Sequence, residues 1–151
     1  MDSLAVSLLL LALVFVASLA GLWWKGCQGR VTRPAPNALL PDVPLDLIDT
    51  TATLTLLQFS GPYCSYCAAM RVILGQVSAD NPGISHREID IIDYPELTKE
   101  LRVSQTPTTL LVTSTGHIHS RIRGASNATS VGHEVAHALK SRKAQSDEYL
   151  I

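Results

Sequence analysis

Apolar and polar positions alternate in distinct ways along the chain, and each regime predicts a different kind of element. From Leu4 to Trp24 the run LAVSLLLLALVFVASLAGLWW carries no charged side chain. At helical rise it spans roughly 30 Å, the thickness of a bilayer's hydrocarbon core. A secretory signal shows a basic n-region, a shorter apolar core and a small-residue cleavage site, whereas only Asp2 is charged ahead of this run. Trp23 and Trp24 suit a membrane interface, and Lys25 follows them. Residues 1–25 therefore read as an uncleaved transmembrane anchor. A buried core helix would instead leave an all-round apolar cylinder for a domain of about 100 residues to cover.

Residues 26–44 break that pattern. Pro34, Pro36, Pro41 and Pro44 forbid a continuous helix and predict an extended linker. Beyond it the apolar runs shorten. Thr53–Phe59 suits a buried strand. A helix is expected from Cys64 to about Ala79, with Met70, Ile73, Leu74 and Val77 as its apolar stripe. Asn81-Pro82-Gly83 ends it as a turn. A second strand follows over Ile84–Ile92, a second helix over Pro95–Arg102 and a third strand over Thr108–Thr113. Thr115-Gly116 makes a tight turn into a fourth strand, Ile118–Arg123. The last helix runs from about Ala128 to Arg142, capped by Ser126 or Asn127. The order β-α-β-α-β-β-α joins one parallel βαβ unit to a terminal antiparallel hairpin. Residues 45–142 form the compact domain in this reading, and 143–151 a tail.

Composition narrows the function. The 151 residues suit one domain plus an extension, and a net charge of −1 gives no basic surface for nucleic acid. With 3 cysteines the chain holds too few for a disulfide-framework fold. Cys27, in the linker near the membrane edge, reads as an idle thiol, since WKGC matches an acylation signal poorly. Cys64 and Cys67 form a C-x-x-C pair at the start of the first domain helix. A structural zinc site takes four ligands, and no second C-x-x-C exists. A permanent disulfide between residues so close constrains little of the unfolded chain. A cycling dithiol suits the position better, because a helix N-terminus stabilises a thiolate.

Three landmarks stand at consistent separations: the strand ending at Phe59 that leads into Cys64-Ser65-Tyr66-Cys67, the Thr106-Pro107-Thr108 start of the third strand, and the glycines Gly116 and Gly124. With this element order, Leu45 to Lys140 resembles the thioredoxin family. The resemblance implies an α/β thioredoxin-like fold, a central mixed sheet flanked by helices. It implies that Cys64 is the attacking nucleophile and Cys67 the resolving thiol. It also implies a cis bond at Pro107, exposing the backbone of Thr106 to an extended substrate segment. Tyr63 stands where the family commonly has tryptophan, and Ser65-Tyr66 where it has Gly-Pro. Gln58 replaces the family's buried aspartate, and His86 falls near the position of that aspartate's usual lysine neighbour.

Other motifs take plainer readings. His133-Glu134-Val135-Ala136-His137 matches H-E-x-x-H, a zinc-hydrolase pattern. On the last helix, however, Val131, Val135, Ala138 and Leu139 form the apolar side, which turns His133 and His137 to solvent. His117 and His119 are expected to be solvated on a hairpin strand. Asp90 and Asp93 read as turn residues, and Asn127-Ala128-Thr129 as a formal sequon only. No metal and no cofactor are expected.

The whole reads as a membrane-tethered thiol–disulfide oxidoreductase that reduces protein disulfides and takes electrons from a thiol reductant or reductase. Lys25, Arg30 and Arg33 flank the C-terminal end of the anchor and place the domain in the cytoplasm by the positive-inside rule. Two alternatives compete with this: an extracytoplasmic reductase or oxidase of the cytochrome-maturation type, and a redox-inactive binding module on the same fold. A reductase needs both thiols, whereas a binding module tolerates the loss of either.

Overall fold

The computed structural model describes residues 3–27, 29–34 and 42–148. Helix α1, Ser3–Cys27, contains the apolar run and is solvent-exposed at every described side chain from 3 to 23. By length and composition it is a candidate membrane span. The side chains of Trp24, Lys25 and Cys27 lie outside the described set, as do Pro36 and Pro41, so the expected role of Cys27 and part of the expected linker fall there too.

The rest is a mixed sheet with helices on its faces. Its strands are β1 (Arg30–Thr32), β2 (Leu54–Ser60), β3 (Ile84–Asp90), β4 (Thr108–Thr113) and β5 (Ile118–Arg123), in spatial order β1-β5-β4-β2-β3. Only β2 and β3 run parallel; the other pairs are antiparallel. The helices are α2 (Cys67–Asp80), α3 (Pro95–Glu100) and α4 (Ala128–Glu148).

Strand β2 lies at the sheet's centre, hydrogen-bonded on both edges, and all of its residues are buried. A strand covered on both faces reads as a nearly continuous apolar run, which LTLLQFS is. Leu54 and Leu56 pack with Met70, Leu74 and Val77 of α2 and Val131, Val135 and Ala138 of α4. Leu57 and Phe59 face the other way, onto Leu47, Ile48, Leu97 and Leu101. The pleat alone assigns these faces.

Two turns require glycine. At Gly83, φ is +83°, and it closes the turn from α2 into β3. Gly116 has φ +89°, and its carbonyl accepts a hydrogen bond from the Val43 N–H at 2.9 Å. A Cβ there would lie 2.7 Å from the Val43 carbonyl oxygen.

Several elements differ from expectation. Inside the stretch expected to be linker, Arg30–Thr32 pairs with Arg121–Arg123 and covers the edge of β5. A strand this short has no readable period, and its partner lies far along the chain. Helix α4 continues to Glu148, beyond Arg142 and into the expected tail, while α3 ends at Glu100 rather than Arg102. Asn127 caps α4: its side-chain oxygen accepts from the Ser130 N–H at 2.8 Å.

Candidate functional site

The site begins where β2 stops. Gly61 and Pro62 end the strand, and the chain then makes tight turns before α2. The Cys64 N–H donates to the Gly61 carbonyl at 3.2 Å, and the Cys67 N–H to the Cys64 carbonyl at 3.3 Å. The first helical hydrogen bond runs from the Met70 N–H to the Tyr66 carbonyl at 3.0 Å. Helix α2 therefore starts at Cys67, with Tyr66 as its N-cap, and not at Cys64 as the sequence suggests. Cys64 sits in the turn ahead of the helix. The cause is the hydrogen-bond pattern: a three-residue turn closes on Cys64 before the four-residue period begins.

Cys64 and Cys67 are joined by a disulfide, with Sγ–Sγ 2.01 Å and Cα–Cα 5.5 Å. Cys67 is buried and Cys64 half-buried, so the bond presents one sulfur outward. They line a cleft of about 420 Å³ with Ser60, Gly61, Arg71 and Glu88. Tyr63, beside it, is 98% exposed, and Tyr66 is also exposed rather than folded over the sulfurs. The Thr106–Pro107 peptide bond is cis. That loop lies against the base of the cysteine turn, since a Cβ on Gly61 would stand 3.7 Å from Thr106 Cγ2. Pro107 is held in turn through its carbonyl, which accepts from the Gly124 N–H at 2.8 Å.

Behind the disulfide, Gln58 is fully buried. Its Nε2 donates to the Cys67 carbonyl at 3.0 Å, while its Oε1 has no partner. This amide braces the first turn of α2 against the central strand. Its neighbours in the sheet are Thr109 on β4 and Glu88 on β3. His86 is opposite Leu56, two residues away, so Glu88 and not His86 occupies the place beside Gln58. The parallel register decides this, and a looser alignment of β3 does not reveal it.

Glu88 was missed by sequence reasoning because it reads as one polar residue of an alternating strand. Its carboxylate accepts from the Ser60 hydroxyl and pairs with Arg71, whose Nη2 donates to Oε1 at 2.9 Å. The hydrogen bond from Arg71 leads in holding its carboxyl below the usual range; partial burial opposes it. The i, i+4 spacing from Cys67 to Arg71 puts the guanidinium on the helix face that borders the cleft. His86 is pushed down chiefly by burial, and its Nε2 has no partner.

The H-E-x-x-H stretch divides. His133 and His137 are exposed, as their helix face requires, but Glu134 is only 4% exposed. Arg33 grips it, Nη2 to Oε2 at 2.6 Å and Nε to Oε1 at 3.1 Å. His117 is exposed beside Asp42, but His119 is half-buried with an unpartnered Nε2, not solvated. Asp90 is a turn residue, its side chain accepting from the Ile92 N–H at 2.9 Å.

A sheet of this topology with a C-x-x-C disulfide ahead of α2 defines the thioredoxin type of thiol–disulfide oxidoreductase. Residues 46–137 match the thioredoxin family, and the chain belongs to it. No curated protein sequence matches the chain. Among solved structures it is similar to chloroplastic thioredoxin z, at 19% identity and TM-score 0.55, covering 68% of this chain and 99% of that one. It is also similar to thioredoxin-2, a component of malaria parasite protein secretion machinery, at 13% identity and TM-score 0.54, covering 66% and 96%. A third likeness is to a chain from work on thiol resolving in yeast mitochondrial 1-Cys peroxiredoxin via glutathione/thioredoxin systems. There the identity is 22% and the TM-score 0.51, covering 58% and 80%. At these identities the likeness concerns the fold.

Proposed function

We propose that the protein is a membrane-tethered oxidoreductase that reduces disulfides in protein substrates through Cys64 and Cys67. The observation that carries this reading is the cleft at the disulfide, with Cys64 half-buried, Cys67 buried behind it, and the cis Thr106–Pro107 loop against Gly61 at its base. In the reduced protein, Cys64 lies in the turn just ahead of α2, and the unpaired N–H groups of that helix's first turn favour its thiolate. That thiolate attacks one sulfur of a substrate disulfide. The substrate S–S bond breaks, a mixed disulfide to Cys64 forms, and the other substrate sulfur leaves as a thiolate. Cys67 then gives up its proton and attacks the Cys64 sulfur, which releases the second substrate thiolate. Two electrons have passed to the substrate, and the protein is left with the Cys64–Cys67 disulfide. A dithiol reductant or reductase returns it to the dithiol.

Other residues position the substrate. The Thr106 backbone offers hydrogen bonds to an extended segment, Pro107 holds that backbone open, and Tyr63 offers an exposed ring. Tethering rests on α1, whose composition suits a bilayer. The test uses both thiols. Cys64→Ser is expected to abolish reduction of a model protein disulfide. Cys67→Ser is expected to accumulate mixed disulfides visible on non-reducing gels, because attack proceeds and resolution fails. If both variants reduce the model disulfide at the wild-type rate, the protein is not a dithiol reductase.

A further inference from the structure

A second cluster of chemically capable side chains lies away from the cysteines, between β5 and α4. His119, Glu134 and His137 each offer one ligand atom, and these atoms lie within 4.8 Å of one another. The two imidazole rings have centroids 5.8 Å apart, tilted by 46°. Glu134 and His137 are three apart on α4, so one helix face presents both. His119 arrives by a different route. Opposite β4, Leu111 pairs with Ser120 and Val112 with Ile118, which leaves His119 with no partner across the ladder. The pleat reverses there: Ile122 packs in the core cluster of α2 and α4, while Ile118, four residues earlier, packs in the other. A regular strand would put both on one face. The extra residue is a β-bulge, a device that re-aims a side chain, and here it sends the His119 ring to His137. Its Nε2 is buried and unpartnered.

We propose that His119, Glu134 and His137 form a binding site for a divalent transition ion, zinc being the best chemical match. Two imidazoles and one carboxylate are a donor set that zinc accepts, with a fourth position left for water on the exposed His137 side. Bond lengths near 2.0–2.1 Å put tetrahedral ligand atoms roughly 3.3 Å apart, so the three must draw inward on binding. His137 is exposed and free to turn. The first histidine of the H-E-x-x-H motif takes no part: His133 is exposed and outside the cluster. The motif's glutamate and second histidine are used, and a strand histidine completes the set. Arg33 opposes the ion, because its guanidinium already engages both carboxylate oxygens of Glu134. Ion and Arg33 therefore compete for one carboxylate. This gives the proposal a signature that an ordinary ion pair lacks.

The experiment uses the full chain in detergent, with the Cys64–Cys67 disulfide intact and Cys27 alkylated so that no thiolate binds metal. Co²⁺ is titrated and followed by its visible ligand-field absorption, and Zn²⁺ is then used to displace it. One ion per chain is expected. His119→Ala and His137→Ala should each weaken binding at least about tenfold, while His133→Ala leaves it unchanged. Arg33→Gln should tighten binding several-fold by freeing Glu134. Circular dichroism of each variant establishes that it is folded before titration. Two outcomes overturn the site: no binding at millimolar ion to either the wild type or Arg33→Gln, or binding that persists in the His119→Ala/His137→Ala double variant.

Discussion

Gln58 shows how one substitution redistributes duties within a site. An amide cannot take a proton from the Cys67 thiol, but it can hold the Cys67 carbonyl, and it does so. Replacing it by aspartate would put a carboxyl in a fully buried position, where desolvation raises its pKa and makes it a usable base. Gln58→Asp should therefore speed mixed-disulfide decay in single-turnover kinetics near neutral pH. It should also cost about 1–3 kcal/mol of stability, since the shorter side chain abandons the Cys67 carbonyl. Unchanged decay would mean that proton removal from Cys67 does not limit resolution. His86 supports a different experiment. Burial lowers its pKa below the ordinary 6.5, and His119 is lowered in the same direction, again mainly by burial. Each takes up its proton less readily in the native protein, so the unfolded chain binds the proton first as pH falls. The stability they contribute is present above about pH 6.5 and is lost as pH drops through the folded-state values. Urea midpoints at pH 7.5 and 5.5 should diverge in the wild type, and His86→Gln should narrow the gap. A gap of the same size in that variant would remove His86 from the account. The pairing of Cys64 with Cys67 is legible in the C-x-x-C spacing, and the cis bond at Pro107 follows from the family resemblance. Glu88 and His119 were not, because a parallel register and a bulge put them where they are, and neither leaves a local mark.

At the scale of elements, the chain is most readable where apolar runs meet hard stops. Strand β4 begins immediately after Pro107, and β5 ends at Arg123, just before Gly124, whose φ is +76°; both strands have the limits expected from sequence. Strand β1 escapes such reading because Gly29 and Pro34 bracket only a few residues, without a full period of alternation. Helix α4 outruns its expected end because the Ser141–Glu148 stretch holds no proline or glycine to stop it. Two glycines test whether these local causes are the real ones, and their expected signs differ. Gly116 is left-handed and crowded by the Val43 carbonyl, so Gly116→Ala should destabilise the domain by about 1–3 kcal/mol. Gly75 lies inside α2 with nothing within 4 Å of an added Cβ. There the methyl group only restricts the unfolded chain, and Gly75→Ala should stabilise by about 0.5–1 kcal/mol. Chemical denaturation of the oxidised protein reads both. The same sign at both positions would show that backbone conformation is not what selects these glycines.

For the whole molecule, if α1 spans a membrane as proposed, the side on which the domain lies sets the direction of electron flow. A cytoplasmic dithiol is kept reduced by the thiol pool and donates electrons, while an oxidising compartment favours the disulfide. The apolar stretch of α1 ends at a tryptophan pair followed by Lys25, and Arg30 and Arg33 lie within the distance over which flanking charge orients a span. Under the proposed tethering, that bias favours a cytoplasmic domain, the placement expected of a reductase. Arg33 is also paired with Glu134 of the folded domain. The measurement is labelling of intact cells with a membrane-impermeant maleimide in a Cys27→Ser background, after mild reduction to open the Cys64–Cys67 bond. Cytoplasmic placement predicts no label until the cells are lysed, then modification of Cys64. Labelling before lysis would put the domain outside, and the direction of chemistry would then have to be sought among oxidising or relay reactions instead. Lys25→Glu/Arg30→Glu/Arg33→Glu provides the contrast: if flanking charge sets the orientation, this variant alone should label in intact cells.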